Sequence, residues 1–244
     1  VLASMPEFQL TTERLDPLLV FLSSPFDQAT LALHVERYRL AMEYVRDADV
    51  VDCACGTGYG SAMLADAGAR SVQGVDLDRS ALMFARARHA HQAVRYFEAD
   101  ATRFAASPQP TVWVSLETVE HLPNPRVYVA HVAEQLPSGG RFIASVPVTV
   151  STDGNPHHLS DFTRRSFRRL LSSHGFVEER ALEQVHRFTL GDVFGGTQGA
   201  RHRDRRHGLL RWYARHPVVF AQRVRLTLTK GLVSEYVTIV AVKK

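Results

Sequence analysis

The stretch that decides the fold runs from residue 50 to residue 60 and reads Val50-Val51-Asp52-Cys53-Ala54-Cys55-Gly56-Thr57-Gly58-Tyr59-Gly60. An apolar run ends here in an acidic residue, glycines then alternate with other residues, and residues 61–65 continue with a helical composition. Glycine is needed where the backbone turns sharply or where a ligand approaches without a Cβ in the way. The pattern predicts strand, tight loop and helix, which is the first unit of a nucleotide-binding α/β fold.

The glycine spacing departs from the dinucleotide-binding pattern G-x-G-x-x-G. Gly60 comes one residue early, and Ser61 holds the third glycine position. Asp52, at the end of the predicted strand, suits a ligand that carries an amino group better than one that carries a pyrophosphate. Because a glycine-rich loop alone is also typical of an ordinary turn, the strands that follow must support the interpretation.

Three more short apolar runs follow, each ending near an acidic residue. Residues 71–76 end in Asp76, and in nucleotide-binding folds such a carboxylate accepts hydrogen bonds from ribose hydroxyls. Residues 94–98 lead to Asp100, which could hold an adenine amino group, and residues 111–116 lead into Glu117. The alternation of strands with helical segments predicts a mostly parallel sheet with helices on both faces.

Taken in order, these motifs resemble the class I S-adenosylmethionine-dependent methyltransferases over roughly residues 30–185. That family usually has glycine where Ala54 or Cys55 stands, a mild departure that keeps the loop small. The resemblance implies a Rossmann-like α/β fold with a seven-stranded sheet, the last strand antiparallel, and S-adenosylmethionine as the cofactor. It assigns cofactor contacts to Asp52, Ala54, Cys55, Gly56, Gly58, Asp76, Leu77, Asp100, Ala101, Leu116 and Glu117.

The chain divides into three predicted parts. Residues 1–46 form an N-terminal arm and a helix that covers the cofactor, and residues 47–189 with 231–244 form the S-adenosylmethionine-binding domain. Residues 190–230 are an insert that opens with glycines and then carries many arginines around aromatic and aliphatic residues. Such an insert can bind nucleic acid, lie on an anionic membrane surface or form a solvated lid over the pocket.

Three histidines are expected where the methyl acceptor would bind. His121 follows the fourth strand, and His157 and His158 follow the fifth. Ligands of open α/β sheets bind beyond the carboxyl ends of the strands, so these loops converge on one crevice. A methyltransferase aligns the acceptor with the sulfonium and removes the acceptor's proton, a task that suits histidine. We predict His121 or His158 as the general base, with Glu117 or Glu120 orienting its ring.

A metal site is the alternative use of the same residues. Glu117, Glu120, His121 and His158 combine two carboxylates with two imidazoles, a ligand set that suits a divalent ion. Glu-x-x-Glu-His followed later by a histidine also resembles the small-RNA 3′-terminal 2′-O-methyltransferases. The same motif occurs in class I members that need no metal, so metal dependence stays open and the general base is preferred.

The composition limits the possible partners only loosely. Of 244 residues, 45% are hydrophobic and 22% charged, and the net charge of +4 permits an anionic partner without requiring one. The only cysteines, Cys53 and Cys55, lie two apart on the first strand, which indicates a reducing, cytoplasmic location. The sequence has no apolar run of the length that crosses a membrane.

The segment after the fifth strand points to an acceptor class. Asn155-Pro156-x-His158, with Phe162-Thr163 shortly after, is typical of the methyltransferases found alongside glycosyltransferases in polysaccharide and natural-product pathways. The resemblance therefore implies O-methylation of a sugar or another small hydroxylated acceptor. The alternatives are a metal-assisted RNA 3′-end 2′-O-methyltransferase and a non-catalytic cofactor-binding module. The sequence leaves homo-oligomerisation open.

Overall fold

The computed structural model describes residues 16–20, 25–189 and 208–244. Its strands form one seven-stranded sheet in the order β3-β2-β1-β4-β5-β7-β6. Strand β7 is antiparallel to both of its neighbours, and the other pairs are parallel. The predicted Rossmann-like sheet is confirmed. The strands are β1 (Asp49–Cys53), β2 (Ser71–Asp76), β3 (Val94–Glu98), β4 (Val112–Leu116), β5 (Arg141–Pro147), β6 (Phe176–Arg187) and β7 (Val233–Lys243).

Helices connect the strands and cover both faces of the sheet. A short 3-10 helix (Val119–His121) follows β4 directly. None of the helices that the structure describes has the length and apolar character needed to cross a membrane. The α-helices are α1 (Pro17–Val20), α2 (Pro25–Met42), α3 (Tyr59–Asp66), α4 (Arg79–Arg88), α5 (Pro125–Gln135), α6 (Arg164–Ser172), α7 (Leu209–Arg215) and α8 (Pro217–Lys230).

Two buried clusters hold the helices against the sheet. Strands β1 and β4 are buried along their whole length, as expected for central parallel strands with helices on both faces. Trp113, Tyr128 and Phe142 belong to the cluster on the side of α5 and α6. Leu64 and Ile143 belong to the cluster on the side of α2 and α3. The sheet is therefore a rigid support for the loops at its carboxyl edge.

The order of the strands reverses between β1 and β4, which are neighbours in the sheet. A crevice opens at such a switch point, beyond the carboxyl ends of the strands. The loop after β1 is shaped by close packing. A Cβ added at Gly58, whose φ is +83°, would lie 2.6 Å from the Cβ of Ala85. A Cβ at Gly60 would lie 1.9 Å from the Tyr38 ring. The absence of a side chain at Gly60 therefore allows α2 to pack closely against the loop.

Parts of the predicted arm and insert lie outside the described residues, namely residues 1–15, 21–24 and 190–207. The described part of the insert consists of α7 and α8. In both helices every residue is at least partly exposed.

Candidate active site

A cleft of about 820 Å³ lies at the carboxyl edge of the sheet, where β1, β2 and β4 end. The glycine-rich loop forms one wall, and the segments after β4 and β5 form the other. Most of the residues predicted for the site lie on these walls: Ala54, Cys55, Gly56, Asp76, Leu77, Ala101, Leu116, Glu117, His121 and His158.

The Asp76 carboxylate lies on the cleft wall and joins two loops. Its Oδ2 accepts a hydrogen bond from the backbone N–H of Gly56 at 2.8 Å, and its Oδ1 accepts one from the backbone N–H of Asp78 at 2.8 Å. These bonds fix the direction of the carboxylate while part of its surface faces the cleft. The neighbouring Leu77 side chain, 70% exposed, supplies an apolar surface at the same edge.

Asp52 lies behind the glycine-rich loop and is not on the cleft wall. Its carboxylate is 1% exposed and accepts hydrogen bonds from Ser61 Oγ at 2.6 Å and from Tyr38 Oη at 3.2 Å. Burial raises the pKa of Asp52 to about 6, although the two hydrogen bonds act in the opposite direction. The sequence predicts that Asp52 contacts the ligand. In the structure its hydrogen bonds instead join β1 to Tyr38 on α2 and to Ser61 on α3.

Asp100 and Gly58 also lie off the wall. Asp100 Oδ1 accepts hydrogen bonds from the backbone N–H and the hydroxyl of Thr102, at 2.8 and 2.7 Å, and these bonds lower the pKa of Asp100. Its neighbours Ala99 and Ala101 line the cleft instead. The carbonyl of Gly58 accepts a hydrogen bond from the hydroxyl of Tyr96 at 3.1 Å.

Glu117 has a left-handed backbone at the end of β4, with φ +50°. A non-glycine residue in this region costs on the order of 1–3 kcal/mol and is typical of functional sites. Its Oε1 accepts a hydrogen bond from Ser145 Oγ at 2.7 Å and lies 3.1 Å from Nη1 of the buried Arg37. Arg37 Nε donates to Gln184 Oε1 at 2.7 Å, and its guanidinium lies over the Tyr236 ring.

The two predicted catalytic histidines meet at the other wall. The rings of His121 and His158 are nearly perpendicular, with centroids 4.6 Å apart. His121 Nδ1 lies 3.1 Å from the backbone carbonyl of His157, and because a carbonyl only accepts, Nδ1 carries a proton. His158 Nδ1 lies 2.8 Å from Ser151 Oγ, which in turn lies 3.2 Å from Asp161 Oδ1. Both rings are therefore held through Nδ1.

Glu120 completes this group from inside the protein. Its side chain is fully buried, and its backbone carbonyl accepts hydrogen bonds from the N–H groups of Leu159 and Ser160. Glu120, His121 and His158 each offer one potential ligand atom, and these atoms all lie within 4.8 Å of one another. Glu117 is not a member of this group, so the predicted set of four residues is divided between two arrangements.

Several cleft residues were not found from the sequence. The most informative are His34 and Tyr38, which α2 brings to the cleft wall. Their helical spacing was visible, but spacing alone does not distinguish a cleft wall from packing on the sheet. Thr57, Tyr59, Thr118, Leu122 and Leu159 also line the cleft.

Helices α7 and α8 are attached to the loop that carries His157 and His158. Asp153, 2% exposed, accepts hydrogen bonds from Arg223 Nε and Nη2, both at 2.6 Å, and from the Tyr213 hydroxyl at 2.6 Å. Burial tends to lower the pKa of Arg223, but the Asp153 carboxylate raises it above its ordinary value. The helices α7 and α8 are thus joined to the polypeptide between β5 and α6, five residues before His158.

Comparisons with known proteins find methyltransferases. Residues 50–140 match the family model described as a methyltransferase domain. A Mycolicibacterium smegmatis protein named as a probable S-adenosylmethionine-dependent methyltransferase is 33% identical over 170 residues. That match covers 66% of this chain, and the chain spans 60% of the relative's length.

A second relative and a solved structure extend the comparison. A ubiquinone biosynthesis O-methyltransferase of Aromatoleum aromaticum is 37% identical over 100 residues, which cover 39% of this chain and 42% of the relative. The crystal structure of a Bacillus halodurans candidate methyltransferase superposes with a TM-score of 0.65 at 18% identity. It covers 86% of this chain and 97% of that one. At this identity the structural match shows the fold alone.

Proposed function

We propose that this chain is a class I S-adenosylmethionine-dependent methyltransferase that methylates an oxygen atom of a sugar or another small hydroxylated acceptor. The methyltransferase-domain match over residues 50–140 and the relative named as a probable S-adenosylmethionine-dependent methyltransferase support the enzyme class and its cofactor. The observation that carries the proposal is the pair of histidines beside Glu120, on the cleft wall across from the glycine-rich loop. Similarity to a protein named as an O-methyltransferase supports oxygen as the acceptor atom. The Asn155-Pro156-x-His158 segment supports a saccharide, and the cytoplasmic location stays a prediction.

In this proposal the cofactor lies along the glycine-rich loop. The Asp76 carboxylate holds the ribose hydroxyls, since its Oδ1 and Oδ2 are already directed by backbone N–H groups. The loop at residues 54–56 borders the methionine end, and the apolar surfaces of Leu77 and Ala101 border the adenine. Helix α2 covers the cofactor with Tyr38, and the insert acts as a lid on the acceptor side through its contact with Asp153.

His158 is the proposed general base. Both rings line the cleft, but the Nε2 atom of His121 is buried, and the His158 ring is held through its Nδ1 by Ser151. Bound S-adenosylmethionine would supply the methyl group, and the acceptor hydroxyl, on gaining that methyl group, would lose its proton to His158. The buried carboxylate of Glu120 stabilises the imidazolium that results. His121 and Glu120 therefore position and support the base.

Replacement of the base tests this proposal. His158→Ala should lower turnover by roughly 10²–10⁴, the usual contribution of general acid–base catalysis, and leave the affinity for S-adenosylhomocysteine nearly unchanged. His157→Ala is the matched control, because it keeps the backbone carbonyl to which His121 donates. Its turnover should fall far less than that of His158→Ala. Methyl transfer to a panel of nucleotide-sugars and glycosides is followed by mass spectrometry, and affinity by calorimetry. Undiminished turnover in His158→Ala excludes it as the base.

A divalent cation at Glu120, His121 and His158 is the second candidate, favoured by the 4.8 Å grouping of their potential ligand atoms. A cation held there would polarise the acceptor hydroxyl in place of a base, and metal-assisted RNA 3′-end methylation depends on it. Calorimetric titration with Mn²⁺ should then show a site that Glu120→Gln abolishes, and chelator should remove activity. Full activity in chelator, together with no Mn²⁺ binding, excludes this candidate.

A further inference from the structure

The outer face of α8 is an exposed apolar strip. Phe220, Val224 and Leu228 are spaced by four residues and are 49%, 38% and 81% exposed. With 3.6 residues per turn they lie above one another on one side of the helix. They line a shallow groove together with Ala221, Arg225 and Thr229. The opposite side, which carries Arg223, is the half-buried one. We call the exposed side the apolar strip.

The apolar strip continues onto α7. The Tyr213 ring lies edge-on to Phe220, with centroids 5.1 Å apart. Leu209, one turn before Tyr213, is 40% exposed, and its neighbour Leu210 is 88% exposed. Isolated exposed leucines are common, but a continuous apolar surface on two neighbouring helices marks an interaction site.

Basic residues accompany the strip. Residues 208–230 contain five arginines and lysines and no acidic residue. Arg223 and Lys230 are paired with the carboxylates of Asp153 and Glu235. The other three, Arg211, Arg215 and Arg225, are exposed. The outward surface of the two helices is therefore both apolar and positively charged.

We propose that α7 and α8 form a docking surface for a lipid membrane that carries anionic headgroups. Apolar side chains along one side of a helix, bordered by arginines, lie at the boundary between headgroups and acyl chains. There the apolar side chains leave water while the guanidinium groups meet phosphates. This interaction adds to the proposed methyl transfer and does not depend on the identity of the acceptor.

Charge and side-chain chemistry favour a membrane over two other occupants. A two-fold dimer would place the same surface against itself, so the arginines of one copy would face those of the other. Single-stranded nucleic acid is held by successive aromatic side chains on which bases stack. The strip has two such rings, Phe220 and Tyr213, and the Tyr213 hydroxyl is bonded to Asp153. Its other side chains are aliphatic and do not stack.

Vesicle co-sedimentation of the full chain tests the proposal. The chain should sediment with phosphatidylcholine vesicles that contain phosphatidylglycerol, much less with phosphatidylcholine alone, and less again in high salt. Leu228→Ser should reduce binding at least tenfold, and Arg225→Gln about fivefold, because each arginine near such a surface contributes about a factor of five. Met83→Ser replaces an apolar side chain that is 44% exposed on α4 and should bind like the original chain.

Three outcomes would overturn the proposal. They are absence of binding to anionic vesicles, equal binding by Leu228→Ser, and equal binding to neutral vesicles. Sedimentation velocity without lipid tests the second copy as occupant: a dimer that Leu228→Ser dissociates would also overturn the proposal and assign the strip to a second copy. Leu228 is so exposed that its replacement should leave the thermal unfolding midpoint unchanged, so lost binding would report on the surface itself.

Discussion

The contact between Asp153 and Arg223 joins α8 to the loop that carries His158. Removing one partner of a buried ion pair leaves the other charge uncompensated, at a cost of about 3–5 kcal/mol. The Arg223 side chain is 25% exposed, so water reaches it and weakens the interaction. We therefore expect Arg223→Gln to destabilise the docked helices by about 2–3 kcal/mol.

Hydrogen exchange measures this loss directly. A change of 2–3 kcal/mol corresponds to roughly 30- to 150-fold faster amide exchange in α7 and α8, if these helices open as a unit. Arg225→Gln is the matched control, since Arg225 lies on the same helix with its side chain exposed. Exchange in the central strand β4 should not change in either variant.

A double-mutant cycle identifies the interaction. Asp153→Asn and Arg223→Gln remove the same contact. The double variant should therefore lose less stability of the docked helices than the two single variants lose together, and the difference should be about 1–3 kcal/mol. Strictly additive losses, or unchanged exchange in Arg223→Gln, would refute the assignment. Because Asp153 is part of the loop that carries His158, we also expect both single variants to lower acceptor turnover more than cofactor affinity.

The carboxylates of Asp52 and Asp76 both lie next to the glycine-rich loop, and each can be tested by substitution. The pKa of Asp52 is about 6 in the folded state, above its ordinary 3.8, so its contribution to stability is largest below about pH 4 and is lost as the pH rises to 7. Urea unfolding should show Asp52→Asn gaining about 2 kcal/mol of stability relative to the original chain between about pH 4 and pH 7, and a constant difference would contradict the raised pKa. Asp76→Ala should weaken S-adenosylhomocysteine binding by about 2–4 kcal/mol in calorimetry, and unchanged affinity in a folded variant removes Asp76 from the site.

The sheet and the cleft wall were predictable because their signals are local. A strand, its loop and its helix are consecutive in sequence, so the stretch at residues 50–60 identifies the loop, and Asp76 follows from the end of the next strand. The histidines were predictable for a related reason. Parallel strands bring their carboxyl ends to one edge, and His121 and His158 each follow such an end.

The directions of the side chains were not predictable, because their partners are distant in sequence. Asp52 and Asp76 lie at corresponding places, near the carboxyl ends of β1 and β2. Asp52 nevertheless faces inward, because Tyr38 and Ser61 donate hydrogen bonds to it from their hydroxyl groups. Glu117 and Glu120 belong to one motif, but Glu117 pairs with Arg37 on α2, whereas Glu120 lies beside His121 and His158. No periodicity or spacing encodes these contacts.

Helices α7 and α8 are held in place by polar contacts, because they bury little apolar surface. Neither helix has a fully buried residue, so apolar burial contributes little to holding them against the sheet. Polar contacts do so instead. Asp153 forms an ion pair with Arg223 in the middle of α8, and Glu235 forms one with Lys230 at the end of α8. In each pair the nitrogen lies 2.6 Å from the carboxylate oxygen. Ion pairs at partly exposed positions weaken with salt, whereas apolar packing does not. We therefore expect high salt to loosen α7 and α8 without unfolding the domain, and the contact with Asp153 to pass this change to the loop that carries His158.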